Sequence, residues 1–255
     1  MKAYNKRFIY FICIVSAMGG LLFGYDWVVI GGAKIFYEQF FGIAGNAFFV
    51  GLATSIALAG CMLGALTAGS LADHYGRKPL LILSAFIFVI SSIGTGAFNE
   101  FGYFLSARFL GGIAIGIASG LSPMYIAEVA PADVRGKLVT LNQLTIVIGI
   151  LAAQVVNWRI AGTHTESWNV SMGWRWMFWA TAIPAVVFLV LSFLIPESPR
   201  FEVMKKRYGR AETTLSRIGG LEYAKAVTAA MMAARSAEEK EENGGLELLL
   251  TKPFR

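Results

Sequence analysis

An all-α membrane protein is the fold class that three observations predict. Hydrophobic residues make up 56% of the chain and charged residues only 15%, too little charge to cover the surface of a soluble domain of this length. The apolar residues gather into six runs, each close to the ~20 residues a helix needs to cross a hydrocarbon core. The basic residues also segregate: eighteen fall in segments that would share one face of the membrane, three in the opposite loops, and Arg108 inside a run. That asymmetry predicts six crossings with both termini cytoplasmic, in a multi-pass protein of the plasma (inner) membrane. It also accounts for the net charge of +6 without a nucleic-acid partner; the lipid bilayer is the partner the composition implies.

The predicted spans are 8–25, 47–71, 80–98, 103–125, 139–158 and 174–195. The first follows Lys2, Lys6 and Arg7. It is longer than the apolar region of a signal peptide and five more runs come after it, so it reads as a span. Gly19, Gly20 and Gly24 thin one side of this helix, which lets a neighbour or a ligand approach its backbone. Asp26 lies roughly 27 Å along from Phe8 at 1.5 Å per residue. It is either an interfacial carboxylate that ends the helix or an intramembrane acid facing a cavity. The apolar Trp27, Val28, Val29 and Ile30 that follow favour the second reading.

In the second span, Gly60, Gly64 and Ala68 form one row of small residues and Ala53, Ala57, Cys61, Ala65 and Gly69 another. Such rows predict helix contacts on two sides. Asp73 to Pro79, Asp-His-Tyr-Gly-Arg-Lys-Pro, is a compact polar turn that leads into the third span. The fourth repeats the small-residue device with Gly112, Gly116 and Gly120, and it carries Arg108 six residues in from the outer loop. A guanidinium at that depth costs a few kcal/mol unless it is hydrated or paired. Snorkelling to the outer surface is one resolution. A pair with Asp26, which reaches a compatible depth from the other direction, is the second.

The link to the fifth span puts Glu128, Asp133, Arg135 and Lys137 on the same face as Asp73 and Arg77. Within the fifth span, Gln143, Val147, Ile150 and Gln154 are spaced to share one helical face. Their amides either bond to another helix or offer donors and acceptors to a hydroxyl-rich ligand. After the sixth span, Pro196-Glu-Ser-Pro-Arg200 opens a tail with eleven basic and nine acidic residues. It reads as short amphipathic helices at the membrane surface, ending in a charge-rich linker over 238–245. The chain thus divides into a transmembrane bundle, 1–195, and a cytoplasmic helical region, 196–255. Cys13 and Cys61 lie inside apolar runs and read as packing residues. No nucleophile elbow, Walker lysine or metal-ligand cluster stands out in the sequence, which argues against an enzyme.

Seven stretches carry a resemblance: Gly19-Gly-Leu-Leu-Phe-Gly-Tyr-Asp26, Gly69-Ser-Leu-Ala-Asp-His-Tyr-Gly-Arg-Lys78, Arg108-Phe-Leu-Gly-Gly112, Pro123-Met-Tyr-Ile-Ala-Glu128, Arg135-Gly136, Asn142-Gln143 and Pro196-Glu-Ser-Pro-Arg200. In this order and between these spans, they resemble the sugar porter family of the major facilitator superfamily over nearly the whole chain. The resemblance implies two six-helix bundles facing each other across a central site, each a 3+3 inverted repeat, with this chain as the N-terminal bundle. It implies proton-coupled monosaccharide symport by alternating access, with the proton as coupling ion and no cofactor.

By the same resemblance, Phe23, Gln143, Ile146 and Ile150 line this bundle's share of the sugar site. Some bacterial xylose porters look to have a second glutamine where this chain has Ile150. Asp26 looks like the family's proton-coupling acid, with Arg108 as its partner; facilitative relatives tend to carry asparagine at that position. Asp73, Arg77, Glu128, Arg135, Glu197 and Arg200 are similar to an inner charge network that holds the cytoplasmic side closed. The family has twelve spans and this sequence offers six. The expected partner is therefore a C-terminal six-helix half or a second copy of the chain, the alternative being a non-transporting fragment or a membrane sugar sensor.

Overall fold

The computed structural model describes residues 4–251, with side chains described through residue 237. Lys2, Lys252 and Arg255, three of the basic residues behind the expected orientation, lie outside the described residues. Among the described residues, six helices are long and apolar enough to cross a membrane: α1 (Lys6–Phe40), α2 (Ala47–Tyr75), α3 (Arg77–Ala97), α4 (Phe101–Val129), α5 (Arg135–Thr163) and α6 (Glu166–Leu194). Two more follow, α7 (Pro199–Met204) and α8 (Tyr208–Thr251). The chain forms two compact units. Tyr10–Pro196 is one, and residues up to Ile9 together with those from Glu197 onward are the other.

The first span is longer than the sequence suggested. It continues fifteen residues past Tyr25 to Phe40, and at 1.5 Å per residue its length is about 52 Å, well beyond a ~30 Å hydrocarbon core. Aromatic packing holds the extension. Phe40 and Phe41 lie against Trp174 at centroid distances of 5.4 and 5.5 Å, and Tyr37 lies against Phe104 at 5.3 Å. The helix ends where glycine takes over: Gly42 and Gly45 adopt positive φ, and Asn46 caps α2 by accepting from Phe48 N and Phe49 N at 3.2 and 3.3 Å. The predicted turn at Asp73 to Pro79 contracts to one residue, Gly76, with φ 105° and ψ 165°. A side chain there would be strained, so the joint between α2 and α3 needs glycine.

Small residues set the packing in the membrane. A Cβ at Gly60 or Gly64 would overlap the α4 backbone, and one at Gly112 or Gly116 would overlap the α2 backbone. The two helices therefore meet backbone to backbone through their middle turns. On α1, Gly24 meets the Ile146 carbonyl of α5, and Gly149 of α5 meets the Leu21 carbonyl. The α2 prediction needs correction, because only one row of small residues is buried: Ala53, Ala57, Gly60, Gly64, Ala68 and Ala72. The opposite side, with Leu58, Met62 and Leu66, is exposed. The close backbone approach along that row is to α4, so α2 is a wall and not a centre. Over their most apolar windows α2 and α5 are 22% and 17% buried, against 61% for α1 and α4.

Trp174 to Leu194 meets the expected sixth span, but a π-helical turn over Asn169–Gly173 precedes it, entered from Glu166–Trp168. In the second unit, Asn5 N donates to Ile218 O at 2.8 Å, Arg217 lies 4.1 Å over the Phe8 ring, and Phe201, Val203, Ala211, Leu215 and Ile218 form the core. Arg235 donates to the carbonyls of Val203 and Met204, closing the C-terminal end of α7. The stretch 238–245, expected as a linker, is helical, and α8 is broken instead at Gly220 with φ 82°.

Candidate functional site

A cavity of about 340 Å³ opens between α1, α2 and α4. Phe23, Asp26, Trp27 and Ile30 reach it from α1, Thr54, Ser55, Leu58 and Cys61 from α2, and Arg108, Gly112 and Ile115 from α4. The close glycine-lined seam between α2 and α4 brings Cys61 and Arg108 to the same space. Its walls are otherwise apolar. The hydroxyls of Thr54 and Ser55 donate back to their own helix, to Val50 O at 3.0 Å and Gly51 O at 2.7 Å, and so keep acceptor capacity toward the cavity.

At the floor, Arg108 Nη1 donates to Asp26 Oδ1 at 2.5 Å and Nη2 donates to Oδ2 at 3.0 Å. This is a fork-to-fork pair between side chains on α4 and α1, with the two residues 3% and 7% exposed. Bidentate charge-assisted contacts of this kind are short and geometrically specific. The structure thus brings Asp26 and Arg108 together and points neither to the surface. The aromatic ring of Phe178 from α6 lies on the guanidinium, 5.3 Å from Cζ.

The residues expected to line a sugar site fall in two places. Phe23 is in the cavity with Asp26, whereas Gln143, Ile146 and Ile150 sit on α5. Gln143 is exposed and Ile146 and Ile150 are half-buried, with Gln154 exposed on the same face. The amides that α5 uses for packing are different ones. Asn142 and Asn157 face α1, and Asn157 Nδ2 donates to Val28 O at 3.4 Å. Thr145 Oγ1 adds a bond to Ala17 O at 2.7 Å. Gln143 and Gln154 bond to no neighbouring helix among the described residues, so this polar face is turned outward from the bundle.

At the other end, Arg77 gathers the inner charges. Its Nη2 is 2.9 Å from Glu128 Oε1 and 3.0 Å from Asp73 Oδ1, and its Nη1 donates to Ala72 O at 3.0 Å. Lys78 donates to Phe193 O of α6 at 2.8 Å, and Tyr125 to Pro196 O at 2.9 Å. Arg135, at the start of α5, is exposed. Glu197 and Arg200 belong to the second unit, where Glu197 Oε1 accepts from Ser198 N at 2.8 Å.

Two residues escaped sequence reasoning. The charge asymmetry of the sequence places Arg175, with Lys34 and Arg159, among the three outer-loop charges. Arg175 is instead 5% exposed and donates to Gly96 O at 2.6 Å, Phe98 O at 3.1 Å and Asn99 Oδ1 at 2.8 Å, with its guanidinium 4.7 Å over Phe40. It therefore fastens the end of α3 to α6 and α1. The cue was its setting, Trp174-Arg175-Trp176, because an arginine between aromatic rings fits a cation–π site better than a loop. Phe178 had no cue, since it is one apolar residue in an apolar run.

A model of the family described as "Sugar (and other) transporter" matches residues 12–254. The glucose transport protein of Synechocystis is 43% identical over 221 residues, covering 85% of this chain and 47% of that protein. The D-xylose-proton symporter of Escherichia coli K12 is 38% identical over 242 residues, 85% of this chain and 49% of that protein. Among solved structures, the proton:xylose symporter XylE bound to 6-bromo-6-deoxy-D-glucose superposes with a TM-score of 0.88 at 35% identity, over 98% of this chain and 57% of that one. The chain spans about half the length of the curated relatives it matches.

Proposed function

Given that the chain belongs to the sugar transporter family of the major facilitator superfamily, we propose that it forms one bundle of a proton-coupled monosaccharide porter working by alternating access. The observation that carries this reading is the bidentate Asp26–Arg108 pair at the floor of the cavity. Protonation of Asp26 removes one charge of a buried pair and leaves the other without its counter-ion. This is the kind of local charge change that biases a two-state packing. The relatives' printed activities, glucose transport and xylose–proton and arabinose–proton symport, make a pentose or hexose the substrate class.

Phe23, Gln143, Ile146 and Ile150 contact the sugar in this reading, the apolar three packing on ring carbons and Gln143 supplying hydrogen bonds. A second six-helix bundle, a C-terminal half or a second copy, faces α2 and α5 and encloses the ligand. The exposed rows on those two helices and the length of the relatives support it. Asp73, Arg77, Glu128 and Arg135 form the inner gate. Both termini then lie in the cytoplasm and the protein in the inner membrane. Uptake of labelled xylose, glucose and arabinose, with variants placed at the chromosomal locus so that any partner is present, tests the reading. Asp26→Asn is expected to abolish accumulation against a gradient, and Gln143→Ala to raise the KM. Accumulation that survives Asp26→Asn unchanged excludes proton coupling through this pair.

A further inference from the structure

Arg108 has a partner on each side, but only one of them can lose its charge. Asp26 holds the guanidinium edge through two hydrogen bonds. The Phe178 ring covers its face at 5.3 Å, within the ~6 Å at which a cation is drawn to the negative face of an aromatic ring. Phe178 is 1% exposed, and its ring is braced edge-on by Phe104 at 6.0 Å and by Trp174 at 6.4 Å. The neighbouring Tyr37 is fully buried, and its hydroxyl has no partner among the described residues. The Nε of Arg108 likewise has none.

When Asp26 takes up a proton from water, the carboxylate becomes a neutral acid and the pair passes from zero net charge to +1, all of it on Arg108. Arg108 exposes only 3% of its surface, and a buried cation stripped of its counter-ion is costly. Among the described residues, the ring face of Phe178 is the aromatic face that lies within cation–π distance of it. We infer that Phe178 is a positioning residue for proton coupling: it retains Arg108 in the bundle while Asp26 is protonated, so that the ion pair reforms when the proton leaves. This rests on the proposed proton-coupled function and adds to it a residue on the sixth span that acts through Arg108.

The test replaces Phe178 with phenylalanine analogues carrying one, two or three ring fluorines. These weaken the ring's negative face stepwise while its shape is nearly kept. Two rates are read in membrane vesicles bearing the chain and any native partner: proton-driven sugar accumulation, and sugar-for-sugar exchange, which needs no net proton movement. Accumulation is expected to fall with each fluorine, to about tenfold below the parent at three, as for a desolvated cation–π contact, while exchange stays level. Phe178→Leu is expected to resemble the trifluoro analogue, and should it not fold the fluorinated series decides alone. Accumulation independent of fluorine number, or exchange falling in parallel, overturns the inference. Asp26→Asn runs beside it: if that variant uncouples while the series is flat, only the role of Phe178 fails, and if it accumulates sugar normally, the proton-coupled reading fails with it.

Discussion

Asp26 and Arg108 meet inside the bundle with their charges matched through two hydrogen bonds, whereas Gln143 and Gln154 on α5 stand exposed with no helix partner among the described residues. Both places bring polar side chains into an apolar span, and both cost free energy in hydrocarbon unless satisfied. The first is satisfied by this chain alone. The second, in the proposed function, faces a ligand or a second bundle. A buried pair ties its own two helices together, so disturbing it is felt as stability. An outward amide makes no bond within the bundle, so disturbing it should leave stability nearly unchanged.

The largest break of that contrast comes from removing one charge. Arg108→Leu leaves Asp26 buried without its cation and is expected to destabilise the purified chain by about 3–5 kcal/mol, read as a fall in the thermal unfolding midpoint in nanodiscs. Adding Asp26→Asn should recover part of that loss, and a double variant as unstable as Arg108→Leu alone would show that the pair is not what the single change disturbs.

Next comes the seam that carries Arg108 to the cavity. Gly112→Val drives a side chain into the Ala57 carbonyl of α2, where backbone cannot yield, at an expected cost of about 1–3 kcal/mol. Spin labels on α2 and α4 should report a wider separation. Arg175→Ala removes three hydrogen bonds to the end of α3 and its loop, for about 2 kcal/mol. Its signature is faster hydrogen exchange in residues 93–99 with little change in α5. Smallest is Gln143→Ala, expected within about 0.5 kcal/mol of the parent in stability while sugar affinity falls. A large loss of stability there would erase the distinction between the two faces.

Much of this was legible in the sequence, and for particular reasons. Six spans could be placed because hydrocarbon thickness dictates their length. The Asp26–Arg108 pair could be anticipated because charges in spans are rare enough to look for one another. The single buried row of α2 was not legible, because glycine and alanine spacing marks where a helix can be approached and not how many neighbours come. The extension of α1 to Phe40 was hidden for a related reason: aromatic packing on Trp174 and Phe104 holds it outside the apolar run. Phe178 was beyond reach, since nothing local distinguishes the one ring that covers Arg108 from the other aromatics of α6.

The joint at Gly76 bears on how force passes through the bundle. One residue separates α2 from α3, and Arg77 reaches back across it to Ala72 O at 3.0 Å, a clasp over the gap. A connection this short has almost no play. α2 cannot slide along its axis without dragging α3, and the only freedom left is torsion about two backbone dihedrals. In mechanical language the pair resembles a crank with little backlash: between the cavity wall on α2 and the charges around Arg77 there is no loop to absorb a push.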